Sequence, residues 1–292
     1  MTSRQDVRFD ANGTELAGWF YPAGGEAAAS PAPARPVVVM SHGLSAIRRM
    51  NLDAVATVLQ QAGLAVLVYD HRNFGDSGGM PRGEADPWAQ VRDMRDAISF
   101  ARTLPGIDPD RLGIWGTSYS GGHVLTVGAL DRRVRAVVSQ VPFTHGEETF
   151  RAWIPEKALP KIMARMIADR EARYRGAEAD WNPAAIDGTE TAEWVEKTDT
   201  EGAYVNRLTL RSLEMLREYE PHSFAARIAP TPLLMIVADR DTQTPIAGQL
   251  ETFGLAGEPK QLLRLDCRHY DPYMDFLPQA ASAARDWFLE HL

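Results

Sequence analysis

The chain has 292 residues, 45% of them hydrophobic, and a formal net charge of −8 from 39 acidic and 31 basic side chains. That length and apolar content suffice for a packed core enclosing a site, whereas the acidic balance disfavours nucleic acid as a partner. The polar start Met1-Thr2-Ser3-Arg4-Gln5-Asp6, the lack of any run near the roughly 20 apolar residues that span a bilayer and a single cysteine, Cys267, lead us to expect a soluble cytoplasmic protein with no membrane association, no internal disulfide and no cysteine-based zinc cluster.

Alternating segments at residues 7–9 and 16–21 flank Asn12-Gly13, a two-residue hairpin signal, so the chain is expected to open with antiparallel strands. Residues 23–36, rich in alanine, glycine and proline, cannot pack a core and read as a mobile surface loop. Short β-branched runs follow at 37–40, 65–69, 111–115, 136–141, 233–238 and 261–265. Lacking polar alternation, they suit strands buried on both faces of a parallel sheet. Amphipathic stretches at 52–62, 88–103 and 122–130 lie between the earlier runs, and a last helix is expected at 278–291. This is the βαβ rhythm of an open α/β sheet, whose ligands bind beyond the carboxyl ends of the strands.

Between Pro142 and Pro230 the rhythm stops. No strand is evident there, and Trp153, Trp181 and Trp194 stand among helical stretches at 158–175, 191–196 and 208–219. A helical insertion of that length between two sheet strands reads as a cap over the active-site end. Its cations Lys157, Lys161, Arg165, Arg170, Arg173 and Arg175, with Asp169 and Glu171 nearby, read as a solvated helix face rather than a membrane-binding one. An exposed apolar cap surface could support a homodimer.

The strongest chemical signal is Gly116-Thr117-Ser118-Tyr119-Ser120-Gly121-Gly122, directly after the apolar run 111–115. It reads as a strand, a sharp turn carrying an exposed serine, and a glycine-rich helix start. A serine hydroxyl is a weak nucleophile unless it is held beside a base and facing backbone donors. His269 suits the base, because it follows the last expected strand in Asp266-Cys267-Arg268-His269-Tyr270; Cys267 reads as a buried small hydrophobe. The strand at 233–238 runs into Asp239-Arg240-Asp241-Thr242-Gln243-Thr244-Pro245, where two aspartates compete to orient the imidazole. Asp241 is favoured, being deeper in the loop and close before a proline that can rigidify it. Asp239 reads as a capping or turn residue.

Taken together, these motifs resemble an α/β-hydrolase over nearly the whole chain. Ser41-His42-Gly43-Leu44 is similar to that family's His-Gly oxyanion loop, and Tyr69-Asp70-His71-Arg72-Asn73-Phe74-Gly75-Asp76-Ser77 to its D-x-R-x-x-G-x-S turn. Ala238-x-x-Asp241-x-x-x-Pro245 resembles its acid loop, and His269-Tyr270-Asp271-Pro272-Tyr273 the H-F-D-P-Y loop of bacterial and fungal esterases, thioesterases and polyketide-releasing hydrolases. The resemblance implies a mostly parallel eight-stranded sheet with helices on both faces, a core of residues 1–142 and 230–292, and a helical cap of residues 143–229 inserted after the sixth strand. It implies a triad of Ser118, Asp241 and His269, and an oxyanion hole made by the backbone amides of Leu44 and Tyr119. His42 is then read as fixing its loop rather than lining the pocket, and Asp70 and Arg72 as an internal salt-bridged brace. Two residues depart from the family pattern, Ser120 and Ala238, each standing where it usually has glycine.

The implied activity is that of a serine hydrolase cleaving a small-molecule carboxylic ester or thioester through an acyl-enzyme. The alternative is an acyltransferase or polyketide-releasing enzyme that uses the same triad with a non-water acceptor. No metal or organic cofactor is implied. Phe143, Trp153, Trp194 and Tyr204 are expected to wall a site for an apolar, moderately bulky group, and Trp181 is a further cap aromatic read the same way.

Overall fold

Asn12 and Gly13 both take positive φ, 52° and 82°, and so fold β1 (Gln5–Ala11) back on β2 (Thr14–Tyr21) as an antiparallel hairpin pairing Ala11 with Thr14. A turn of this hand matches the natural twist of the strands it joins. The computed structural model describes residues 4–24 and 34–292; most of the stretch read as a mobile loop, residues 25–33, lies outside the described residues.

The chain continues through β3 (Arg35–Ser41), α1 (Leu52–Gln61), β4 (Ala65–Tyr69), α2 (Pro87–Ala101), β5 (Ile107–Thr117), α3 (Tyr119–Leu130) and β6 (Ala136–Gln140). After β6 come α4 (Gly146–Trp153), α5 (Leu159–Tyr174), β7 (Trp181–Asn182), α6 (Glu190–Thr198), β8 (Leu208–Thr209) and α7 (Leu210–Arg217). The sheet then resumes with β9 (Leu233–Ala238), α8 (Ile246–Leu255), β10 (Lys260–Leu265) and α9 (Leu277–His291). Eight strands form one sheet in the order β1-β2-β4-β3-β5-β6-β9-β10, antiparallel at the β1–β2 and β2–β4 pairs and parallel elsewhere.

Both faces of that sheet are covered, which is why its inner strands carry continuous apolar runs. Along β3, Val37 and Val39 pack with Met94, Ile98 and Leu125 of α2 and α3. Val38 and Met40 point the other way, toward Val55 and Leu59 of α1 and Ala284 and Phe288 of α9. Asp86 caps α2 by accepting from the amides of Trp88 and Ala89, with Pro87 at the first helical position. Among the described residues no helix is long and apolar enough to cross a membrane.

Two features differ from the sequence reading. The stretch after β6 holds a small antiparallel ladder, Trp181 opposite Thr209 and Asn182 opposite Leu208, too short to leave any periodicity. β10 is an edge strand in which only Leu265 is fully buried, rather than one buried on both faces.

Strand order places the site. The chain adds β4 on one side of β3 and then crosses to add β5 on the other, so a crevice opens at the carboxyl ends of β3 and β5 where the connections part. Ser41 pairs with Gly116 across that junction, which brings the loop after β3 beside the turn after β5. The β9–β10 pairing of Ala238 with Leu265 similarly sets the two following loops side by side.

Candidate active site

Ser118 forms the turn between β5 and α3, with φ 53° and ψ −117°. A side-chain-bearing residue held at positive φ is strained, and such strain persists only where surrounding bonds impose it. Here the Ser118 amide donates to Gln140 O at 2.9 Å, and Ser118 O accepts from Phe143 N at 2.8 Å and Gly122 N at 3.3 Å. The turn also needs close backbone approach: a Cβ on Gly116 would collide with the carbonyl of Ser120. The result projects Oγ at the amino end of α3, where unpaired amides and the helix dipole favour negative charge.

His269 reaches that hydroxyl. Its Nε2 lies 3.1 Å from Ser118 Oγ, and its Nδ1 lies 2.8 Å from Asp241 Oδ2. Both His269 and Asp241 are buried. With Asp241 ionised, Nδ1 carries the ring hydrogen and Nε2 is left as the acceptor that a serine nucleophile requires. Burial alone would raise the Asp241 carboxyl, but the adjacent His269 ring and the hydrogen bonds from His269 and Thr244 outweigh it and hold the group below the usual carboxylate range.

Several supporting residues were not singled out from sequence. The amides of Gln243 and Thr244 each donate to Asp241 Oδ1 at 2.8 Å, while the Thr244 hydroxyl and Gln249 Nε2 approach Oδ2 at 2.9 and 3.1 Å. On the other side of the ring, the Tyr273 hydroxyl bonds Thr117 Oγ1, next to Ser118, and Asn51 Nδ2 donates to Tyr273 O. The histidine loop is therefore tied to the serine turn at both its ends. The D-x-x-x-P and H-Y-D-P-Y spacings marked these loops, but no local pattern marks Thr244 or Gln249.

The amides of Leu44 and Tyr119 make no hydrogen bond to any described residue, and both residues line the same cavity as Ser118 and His269. That cavity has a volume of about 480 Å³. Its walls are mostly apolar and include Phe143, Trp153, Ile154, Ile162, Trp194, Val195, Tyr204 and Leu213, so four of the expected aromatics, Phe143, Trp153, Trp194 and Tyr204, are placed there. Trp194 stacks on Tyr270 at 4.9 Å between ring centres, Tyr204 lies 3.3 Å from Ser45 Oγ, and Trp153 Nε1 donates to Gln243 O at 2.7 Å. Among the described residues, no cluster of histidine, cysteine or carboxylate side chains is arranged to hold a metal ion.

Residues 32–268 match the family profile described as serine aminopeptidase, S33. The chain belongs to this family of α/β-hydrolases. It is similar to a thiohydrolase of Eupenicillium brefeldianum, 33% identical over 89% of this chain and 85% of that protein. It is also similar to the quorum-quenching protein AidA of Acinetobacter baumannii, 37% identical over 82% of this chain and 79% of that protein. Among solved structures, the α/β-hydrolase GrgF from Penicillium sp. sh18 superposes with a TM-score of 0.85 at 26% identity, covering 99% of both chains. The expected α/β-hydrolase fold is present, and the chain is an enzyme of that class.

Some sequence expectations for this hydrolase need correcting. Asp70 and Arg72 do not pair with each other. The Asp70 carboxylate takes the Arg48 guanidinium and the Arg48 amide, the latter at 2.7 Å, while Arg72 pairs with Asp93. Both are braces, but their partners come from other segments. Asp239 caps no helix but lies in the turn after β9, as one of its two readings had it, and pairs with Arg264 on β10 at 2.8 Å. Trp181 sits 3.5 Å under the Arg207 guanidinium and is not on the cavity wall. Of the cations read as a solvated face, Lys157, Lys161, Arg170 and Arg175 are exposed, and several are also ion-paired, Arg165 with Asp180, Arg170 with Glu214 and Arg173 with Asp169. A second cleft of about 350 Å³ beside Asp86, Arg170 and Arg211 is remote from the reacting groups, and its arginines are ion-paired. Cys267 is buried, and burial pushes its thiol up to about 12.

Proposed function

We propose that the hydrolase cleaves a carboxylic ester or thioester through an acyl-enzyme on Ser118. The observation carrying this reading is the unbroken hydrogen-bonded line from Ser118 Oγ through His269 to Asp241 on an apolar cavity. Ser118 Oγ attacks the acyl carbonyl while His269 Nε2 takes its proton, and the developing oxyanion accepts from the Leu44 and Tyr119 amides. His269 then protonates the departing oxygen or sulfur. Water, deprotonated in turn by His269, attacks the acyl-enzyme and releases the acid, returning the proton to Ser118. Asp241 stays ionised throughout and holds the imidazolium.

The apolar wall fits an apolar acyl group, and a relative named as a thiohydrolase supports a thioester among the substrates. In this reading residues 1–142 and 230–292 are the catalytic core and residues 143–229 a cap that sets which acyl groups enter. Ser118→Ala is expected to lower ester turnover by something on the order of 10⁶-fold, and a fluorophosphonate should label the wild-type protein at Ser118 alone. A folded Ser118→Ala protein that keeps its turnover would sink the assignment. Transfer of the acyl group to an alcohol, amine or thiol is the second reading, favoured by the near-complete burial of His269, which limits water at the acyl-enzyme. The partition of product between acid and ester in added alcohol decides between them.

A further inference from the structure

Ser120 stands where the elbow of this family usually has glycine, and its hydroxyl is fully engaged. Ser120 is wholly buried, and its Oγ donates to the carbonyl of His42 at 2.5 Å. His71 Nε2 lies 2.7 Å from Ser120 Oγ and 3.3 Å from His42 O. With the Ser120 proton committed to His42 O, His71 must carry its hydrogen on Nε2 and donate. The His71 backbone amide donates to His42 Nε2 at 3.0 Å, so His42 carries its hydrogen on Nδ1 and donates to Gly43 O at 2.9 Å. A further bond to Gly43 O comes from Ala46 N at 3.3 Å.

Both peptide groups flanking Gly43 are thus held by their oxygens. A trans peptide is planar, with its N–H opposed to its C=O, so holding Gly43 O sets the direction in which Leu44 N–H points. Gly43 itself lies against the nucleophile: a Cβ there would stand 3.1 Å from Ser118 Cβ. Burial, above all, lowers the His42 and His71 rings below the usual histidine range, which keeps both neutral and the directions of donation unchanged. Neither ring nor Ser120 lines the cavity.

We propose that Ser120, His71 and His42 form a positioning network that aims the Leu44 amide, with Ser120 bolting the oxyanion loop to α3. Tyr119 N–H belongs to the same first turn of α3 as Ser120, so the bolt fixes the spacing between the two donors. This inference rests on Leu44 and Tyr119 serving as the oxyanion donors.

The test uses Ser120→Ala and Ser120→Gly, the second restoring the family's usual residue and guarding against misfolding of the first. Removing one oxyanion donor outright costs about 10²- to 10³-fold in kcat, and misaiming one costs less, so kcat is expected to fall about 10- to 100-fold. KM should stay within about twofold, because the ground state does not use these donors fully. Affinity for an alkyl trifluoromethyl ketone, whose adduct with Ser118 bears an oxyanion, should fall by the same factor as kcat. The pH–rate profile should not move. A network that only stabilised the fold would lower the melting temperature and leave kcat and inhibitor affinity alone; that result overturns the proposal, as does a loss of kcat with inhibitor affinity retained. Ser118→Ala separates the two levels of inference. If it retains turnover, the reading of the site has failed; if it is inactive while both Ser120 variants match wild type, only the network has failed.

Discussion

Replacing Asp241 with asparagine changes the chemistry of one atom and leaves the shape of the acid loop alone. Oδ1 accepts from the amides of Gln243 and Thr244, both at 2.8 Å, so the asparagine carbonyl must take that place, where an NH₂ would face two donors. Its NH₂ then stands in the place of Oδ2, which is 2.8 Å from His269 Nδ1. There it donates to Nδ1, obliging the ring hydrogen to move to Nε2, and Ser118 Oγ meets a donor instead of a base. The same change in serine proteases with this triad lowers kcat about 10⁴-fold, or about 5.4 kcal/mol at 1.36 kcal/mol per factor of ten. Gln249 Nε2 keeps its bonds to Thr244 O and Oγ1, so folding stability should fall by no more than about 1–3 kcal/mol. The assay is kcat for hydrolysis of an activated ester beside a thermal unfolding curve, with Asp239→Asn as control. Asp239 sits in a partly exposed ion pair with Arg264, and its variant should stay within about twofold of wild type, as surface pairs are worth little. An Asp241→Asn enzyme within tenfold of wild type, or a larger loss in the Asp239 variant, would refute the tautomer argument.

Stability should decline as the solution is acidified below neutrality. Burial lowers His42 and His71 and takes His123 down to about 3, whereas an unfolded histidine titrates near 6.5. Below about pH 6.5 the unfolded chain therefore binds more protons than the folded one, and unfolding becomes easier as pH falls. Asp241 acts with the same sign at lower pH, its contribution being present above about pH 4 and lost as pH falls through its depressed folded value. Urea unfolding measured between about pH 7 and pH 5 checks the histidine part, and a flat stability over that window contradicts neutral burial. Ile162 on α5 lines the cavity, so Ile162→Trp should shorten the acyl chain accepted. At about 0.8 kcal/mol per buried CH₂, excluding two methylenes lowers kcat/KM about tenfold for long chains and spares short ones. An equal loss at every chain length, measured across a graded ester series, would count against this placement of the acyl group.

Much of the sheet was legible because its strands announce themselves locally. Runs such as Val37-Val38-Val39-Met40 and the Asn12-Gly13 turn need no partner to be read, and the reacting residues follow strand ends in recognisable spacings. What was hidden depends on contacts that sequence periodicity does not carry. Arg48 reaches Asp70 and His71 reaches Ser120 across unrelated stretches of chain, so neither the partner of the Asp70 brace nor the bonds of Ser120 leave a mark in local sequence. Thr244 and Gln249 gain their meaning only from where Asp241 points. β7 and β8, each of two residues, are shorter than any alternation that could reveal them.

The chain leaves the sheet at the end of β6 and rejoins it on β9, and these strands are direct neighbours, with Gln140 opposite Ile236. Because the two strands are parallel, the excursion leaves at the carboxyl end of β6 and returns at the amino end of β9, where Leu233 faces Val137, so its ends stand on the order of 10 Å apart. Its length can still vary, since doubling a flexible loop costs only about 0.6 kcal/mol in closure entropy. Recombination could exchange the excursion as a cassette without disturbing the strands that carry Ser118, Asp241 and His269. The usable junctions lie inside it at both ends, because Phe143 N donates to Ser118 O, Val141 O accepts from Thr244, and the Tyr219 hydroxyl bonds His123 and Thr126 of α3. On the proposed reading, chimeras cut after Phe143 and before Tyr219 should inherit a donor's acyl preference while Ser118, Asp241 and His269 keep their places.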